Sequence, residues 1–111
     1  MSTLSTHVLD TMHGQPAAGL SVVLSGPHGE ISRGVTNADG RCPDLVREAL
    51  APGGYALHFA VADYFRARGV TLPDPPFLDQ VSVDFGIAAD GGHYHVPLLV
   101  SPFAYSTYRG S

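Results

Sequence analysis

Tyr94-His95-Val96-Pro97-Leu98-Leu99-Val100-Ser101-Pro102-Phe103-Ala104-Tyr105-Ser106-Thr107-Tyr108-Arg109-Gly110-Ser111 carries two alternating runs joined at Ser101-Pro102. Alternation of apolar and polar side chains marks half-buried strands, because successive side chains of an extended backbone point to opposite faces. The stretch therefore reads as strand, turn, strand. Most domains end in a frayed tail, whereas this one keeps polar groups, Tyr108, Arg109 and Ser111, in patterned sequence up to the terminal carboxylate. A histidine, His95, sits within the preceding strand. Together these predict a site to which the C-terminus itself contributes.

Working back from that stretch, the same short-period pattern recurs. Thirteen glycines and nine prolines separate brief apolar runs, which favours strands and turns over helices. Strands are expected over Leu4–Leu9, Leu20–Ser25, Glu30–Thr36, Tyr55–Val61, Gln80–Ala88, His93–Val100 and Tyr105–Arg109. Thr11 to Gly19 reads as a loop. Gly26-Pro27-His28-Gly29 and Asn37-Ala38-Asp39-Gly40 are turn signals, since Asp, Asn and Gly tolerate the backbone angles required. Asp90-Gly91-Gly92 reads as a tight hairpin. Ala62–Arg68 is the one credible helix, free of Gly and Pro and followed by Gly69 as a C-terminal stop. About eight short strands with one brief helix define an all-β class, an antiparallel two-sheet sandwich. With no repeats and no linker, residues 1–111 are expected to form one domain.

Composition narrows the function. Apolar residues make up 44 % of the 111 and charged residues only 14 %, with a formal charge of −4. So low a charge density suits a chain that covers part of its surface with other copies. The negative balance argues against a nucleic-acid partner, which would need a basic face. A single cysteine, Cys42, excludes an internal disulfide framework. The N-terminus lacks the basic start and apolar run of a signal peptide, and no stretch reaches membrane-span length, so a cytoplasmic protein without a membrane partner is expected.

Six histidines need sorting. His13, His28 and His93 lie in or beside turns and read as solvated polar residues. His58 reads as a structural strand histidine, on the face opposite Leu57 and Phe59. His7 and His95 differ, each lying in a strand and flanked by apolar residues, where a neutral imidazole can act as a general base or an orienting partner. His93 and His95 share a strand face and could chelate zinc, but no third ligand stands at recognisable spacing. A Ser-His-Asp triad using Ser101, Ser106 or Ser111 lacks a strained nucleophile turn. Arg41, just after the Asp39-Gly40 turn, could present its planar fork to an anionic or carbonyl-rich ligand. Arg109 offers the same group beside the chain end.

Three separated segments resemble one family. Leu4-Ser5-Thr6-His7-Val8-Leu9-Asp10-Thr11 is similar to the N-terminal signature of the transthyretin-like 5-hydroxyisourate hydrolases. Thr36-Asn37-x-Asp39-Gly40-Arg41 is similar to their central motif. Tyr94-His95-Val96-Pro97-Leu98-Leu99 through Tyr108-Arg109-Gly110-Ser111 is similar to their C-terminal signature, its most specific part. Transthyretin proper, a hormone carrier on the same scaffold, lacks the terminal tetrapeptide and the histidine pair.

The resemblance implies a transthyretin-like sandwich assembled as a homotetramer, a dimer of dimers with the site in the channel between dimers. It implies hydrolysis of 5-hydroxyisourate, an intermediate of urate degradation, with His7, Arg41, His95 and Ser111 as catalytic residues. Tyr108 and Arg109 would contact the substrate. Either histidine could activate water, the other orienting it, and no metal or organic cofactor is implied. The rival readings are a non-catalytic small-ligand carrier of the transthyretin type and, more distantly, a β-sandwich adhesion module.

Overall fold

Leu4, Thr6, Val8 and Asp10 are buried, while Thr3, Ser5, His7 and Leu9 between them face outward. That single alternation fixes which face of the first strand meets the core. The computed structural model describes residues 2–111. The elements run β1 (Ser2–Asp10), β2 (Gln15–Pro16), β3 (Ser21–Gly26), β4 (Gly29–Val35), β5 (Gly53–Phe59), α1 (Val61–Ala67), β6 (Val81–Ile87), β7 (Gly92–Val100) and β8 (Tyr105–Thr107). They form two four-stranded sheets, ordered β2-β1-β7-β8 and β4-β3-β5-β6. The expected all-β sandwich with one short helix is therefore present.

Two pairings differ from a simple antiparallel reading. β1 and β7 run parallel, in register from Ser2↔Gly92 to Asp10↔Val100. This requires no hairpin, because the rest of the fold lies between the two strands in sequence. The Asp90-Gly91-Gly92 turn does reverse the chain, with the Gly91 N–H bonded to Ala88 O at 3.2 Å. It does not make a hairpin, however: β6 belongs to the second sheet and β7 to the first. A turn motif specifies a local reversal, not the sheet that the next strand joins. Smaller differences lie at the ends. β1 starts at Ser2, the expected loop 11–19 contains the two-residue β2, and β8 stops at Thr107.

The inner faces close over Phe59, Phe65, Leu20, Leu24, Leu57 and Leu98, all fully buried. Helix α1 covers one end of the core with Val61, Ala62, Tyr64 and Phe65. It ends as expected at Gly69, whose N–H bonds to Arg66 O at 2.9 Å while Val70 N–H reaches Phe65 O at 3.0 Å, a Schellman closure. Asp10 is the exception in this interior, a carboxylate with no exposed surface. It accepts hydrogen bonds from the His13 ring at 2.5 Å, the His13 backbone N–H at 3.0 Å and the Tyr64 hydroxyl at 2.7 Å. Burial raises its pKa, but these bonds outweigh that and hold it below the ordinary value, while burial and Asp10 push the Tyr64 hydroxyl up to about 12. His13, read from sequence as a solvated turn residue, is thus tied to the core. No helix among the described residues is long and apolar enough to cross a membrane.

Candidate active site

The outward face of β1 and β7 is built in rungs set by the parallel register: Thr3 beside His93, Ser5 beside His95, His7 beside Pro97, Leu9 beside Leu99. Polar rungs thus pass into apolar ones along a single face. Successive rungs are about 7 Å apart, twice the rise per residue of a strand. His7 and His95 stand one rung apart, close enough to act on one small molecule.

Arg41 reaches this face because of a turn. Asn37 Oδ1 accepts the backbone N–H groups of Asp39 at 2.9 Å and Arg41 at 3.0 Å, an Asx turn of the kind its sequence signals. Gly40 has φ +75°, and a Cβ there would lie 2.5 Å from Val8 O. Only glycine fits that approach, and it lets Gly40 O accept the Val8 N–H at 2.8 Å. The next residue, Arg41, then bridges to His7 across the free edge of β1.

The chain end arrives from the other side. The β7–β8 register, Leu98↔Thr107 and Leu99↔Ser106, continues past the end of β8 to a bridge between His95 and Gly110, where Gly110 N–H bonds His95 O at 2.7 Å. A Cβ on Gly110 would lie 2.5 Å from Cδ2 of His95. This glycine is a packing requirement: the backbone lies against the imidazole itself.

The structure therefore brings His7, Arg41 and His95 to one face and lays Gly110 against His95. It does not bring Arg109 there. The Arg109 guanidinium sits 4.0 Å from the Tyr94 ring centroid and donates to His93 O at 3.3 Å. Tyr94 belongs to the buried set of β7, opposite His93 and His95. Arg109 takes the parity of the inner face, beside Tyr94; Tyr108 is exposed and takes the alternate, outer parity.

His95 is half-buried and its Nδ1 lies 2.7 Å from Ser5 Oγ. Burial, reinforced by repulsion from Arg41 and from the neighbouring imidazoles of His7 and His93, holds its pKa below the usual histidine value of 6.5. A neutral imidazole with a free Nε2 is the form a general base requires. Sequence reasoning missed three residues that support it: Ser5 and Thr3 on β1, and His93 on β7. His93 is held at both ring nitrogens, by Thr3 Oγ1 at 2.6 Å and Ser5 Oγ at 2.9 Å. The matched alternations Thr3-x-Ser5 and His93-x-His95 carried the signal, but only the pairing of two strands distant in sequence makes it readable.

The remaining candidates fall elsewhere. His58 bonds Ser25 and Ser82 on the second sheet, and His28 is exposed in the β3–β4 turn. Cys42 is buried, and burial together with Asp44 pushes its thiol up, away from nucleophile chemistry. Concavities of about 490 and 510 Å³ lie over Ser25–Gly86 of the second sheet and beside β4; neither is lined by His7, Arg41 or His95. Among the described residues, no group of three or more His, Cys, Asp or Glu side chains is placed to hold a metal ion.

Two four-stranded sheets and one helix at the edge of the core define a transthyretin-type sandwich, with an imidazole–guanidinium cluster on the outward face of β1 and β7. The chain belongs to the HIUase/Transthyretin family, whose model matches residues 4–110. It is 54 % identical to a 5-hydroxyisourate hydrolase of Pseudomonas aeruginosa over 117 aligned positions, covering all of this chain and 93 % of that protein. The solved 5-hydroxyisourate hydrolase of Klebsiella pneumoniae superposes with a TM-score of 0.88 at 38 % identity, each chain covered in full. Sea bream transthyretin, solved in complex with thyroxine, superposes with a TM-score of 0.84 at 32 % identity, over 96 % of this chain and 93 % of that one.

Proposed function

We infer that this protein hydrolyses 5-hydroxyisourate, an intermediate of urate degradation, to 2-oxo-4-hydroxy-4-carboxy-5-ureidoimidazoline. The observation that carries this reading is the placement of His7 and Arg41 on the same face as His95, against which Gly110 lies, in a chain so similar along its length to hydrolases of that substrate. A carrier of the transthyretin type has no use for a neutral imidazole beside a guanidinium.

The reaction adds water across a ring amide. His95 takes a proton from water at Nε2 as the oxygen attacks the amide carbonyl carbon. Negative charge gathers on the carbonyl oxygen, where the Arg41 guanidinium stabilises it. The carbon–nitrogen bond then breaks, the leaving nitrogen takes a proton from Nε2, and the new carboxylic acid ionises. His7 orients the water, and the Ser111 hydroxyl or carboxylate positions water or substrate. Tyr108, on the parity of the imidazoles, contacts the substrate, while Arg109 contributes by anchoring the terminal segment over Tyr94.

In a single chain the face is open, so a second surface has to cover it. A homotetramer, a dimer of dimers with this face lining the channel, meets that need. The exposed edge strand β8 and the adjoining edge of β6, which meet along one concavity, offer a route to the dimer. Residues 1–111 act as one catalytic domain, and the cytoplasm, which keeps a lone thiol such as Cys42 reduced, is the proposed compartment.

The test generates 5-hydroxyisourate in situ from urate with urate oxidase and follows its ultraviolet decay. The expected result is decay accelerated in proportion to protein. Spontaneous-rate decay with a folded protein would overturn the reading in favour of a carrier. Moving an affinity tag from the N-terminus to the C-terminus should impair activity, and equal activity of the two forms would remove Ser111 from the mechanism.

A further inference from the structure

We propose that Thr3, His93 and Ser5 form a proton wire that connects His95 to bulk water and lets it act as base and then acid without remaining charged. The proposal rests on the hydrolytic reading above, with His95 as the base. Its links are Thr3 Oγ1 to His93 Nδ1 at 2.6 Å, His93 Nε2 to Ser5 Oγ at 2.9 Å, and Ser5 Oγ to His95 Nδ1 at 2.7 Å. Every separation is within hydrogen-bond length. The path leads from a half-buried imidazole to an exposed one and ends at an exposed hydroxyl.

The chemistry of each member fits. A hydroxyl both donates and accepts, and so does a neutral imidazole, one nitrogen in each role. The four groups therefore form a chain with a single direction, and it reverses only if every proton moves one place. In the resting direction His95 Nδ1–H donates to Ser5, Ser5 to His93 Nε2, His93 Nδ1–H to Thr3, and Thr3 to water.

When Nε2 of His95 takes a proton from the attacking water, its Nδ1 proton passes to Ser5. The Ser5 proton moves to His93 Nε2, the His93 Nδ1 proton to Thr3, and the Thr3 proton to bulk water. His95 is again neutral and the chain points the other way. When the leaving nitrogen takes the proton on Nε2, the reverse shift draws one proton back from bulk water and restores the resting direction. The wire thus returns to its starting state in each turnover, and the net proton released comes from ionisation of the product carboxylic acid.

The surroundings give the device a purpose. Arg41 and His7 stand on the same face as His95, so a lasting imidazolium there would face a guanidinium and a second imidazole. Passing the charge outward along β1 and β7 removes that repulsion. It also explains why the supporting residues are hydroxyls and a second histidine rather than a carboxylate, which would hold the proton instead of relaying it.

Wild-type turnover of 5-hydroxyisourate is measured first, and its absence would fail the hydrolytic reading whatever the variants do. Given turnover, Ser5→Ala, His93→Ala and Thr3→Val are assayed in dilute buffer and with rising imidazole. The expected result is a kcat lowered roughly tenfold or more, part of the full contribution of a general base, with KM little changed. Added imidazole should restore kcat in His93→Ala and Thr3→Val, where Ser5 or His93 becomes accessible to it, and Ser5→Thr should keep wild-type rates. Wild-type kcat for Ser5→Ala in dilute buffer, or a loss in folded His93→Ala and Thr3→Val that imidazole does not restore, would overturn the wire. Thr3→Val, at an exposed position, keeps the test open should Ser5→Ala fail to fold.

Discussion

His95 on the first sheet and His58 on the second are both half-buried strand histidines hydrogen-bonded to serine. Their surroundings separate them. His58 is held at both nitrogens, by Ser25 Oγ at 2.9 Å on Nε2 and Ser82 Oγ at 2.8 Å on Nδ1. With both positions occupied, it tethers β3, β5 and β6 and has no nitrogen to offer a substrate. Among the described residues His95 is held at Nδ1 alone, by Ser5 Oγ, which fixes the ring and leaves Nε2 to face the site. Arg41 and the chain terminus then converge on it. A strand histidine gains chemistry when its second nitrogen is left unpaired beside charge, not from its residue type.

The largest test of that contrast replaces each ring in turn. His95→Ala should lower kcat/KM by roughly a hundredfold or more, the scale of a lost general base. His58→Ala should leave kcat/KM within about twofold and cost on the order of 1–2 kcal/mol of stability, from two lost hydrogen bonds. Steady-state kinetics and denaturant melts of both variants would decide it. A large activity loss in His58→Ala with unchanged stability would break the comparison. Arg41→Ala, losing one oriented charge, should also lower kcat/KM by about a hundredfold.

Much of this arrangement is legible in the chain. The alternation in Leu4–Asp10 and Tyr55–Phe59 gives strands and buried faces directly, and Asn37-x-Asp39-Gly40 gives the turn that delivers Arg41. The three separated motifs give the family and the residues to watch. What is not legible depends on pairing between distant strands. Nothing local says that β1 runs parallel to β7, so the rungs Thr3–His93 and Ser5–His95 stay hidden and His93 looks like a turn residue. The parity of Arg109 is readable, but the face it points to is not, because that depends on the register against Tyr94 and His95. His13 looks solvated for a similar reason. Its partner Asp10 is buried only after α1 and Tyr64 pack against it.

A second contrast compares glycines. On the first sheet a Cβ at Gly110 would lie 2.5 Å from Cδ2 of His95, while on the second Gly54, on the same face as His58, has nothing within 4 Å of such an atom. Gly110→Ala should therefore push the terminus off His95 and lower kcat/KM by roughly tenfold to a hundredfold, since displacements near 1 Å at a reacting centre carry penalties of that size. Gly54→Ala should leave activity unchanged and raise stability by about 0.5 kcal/mol, through the lower chain entropy of alanine. Equal activity of Gly110→Ala and wild type would mean that the close approach serves packing alone.

The smallest effect is also the most specific to His95. Its pKa is lowered, first by burial and then by Arg41, His7 and His93, so the neutral base persists below pH 6.5. The acidic limb of kcat/KM, which reports the free enzyme, should therefore bend below pH 6.5 and not at it. Arg41→Ala removes one of the charges responsible, so the residual activity of that variant should show its acidic limb shifted upward, towards 6.5. The sign is the same for stability. A histidine whose folded-state pKa is depressed contributes stability that is fully present above its unfolded value and is lost as pH falls through the folded value. His95→Gln should accordingly flatten the decline in stability between pH 6.5 and that lower value, while leaving intact the separate acid loss below pH 3.8 to which Asp10 contributes. An acidic limb above pH 6.5 in the wild type would contradict the neutral-base assignment even if every substitution behaved as expected, because it would require a group whose charged form the site favours.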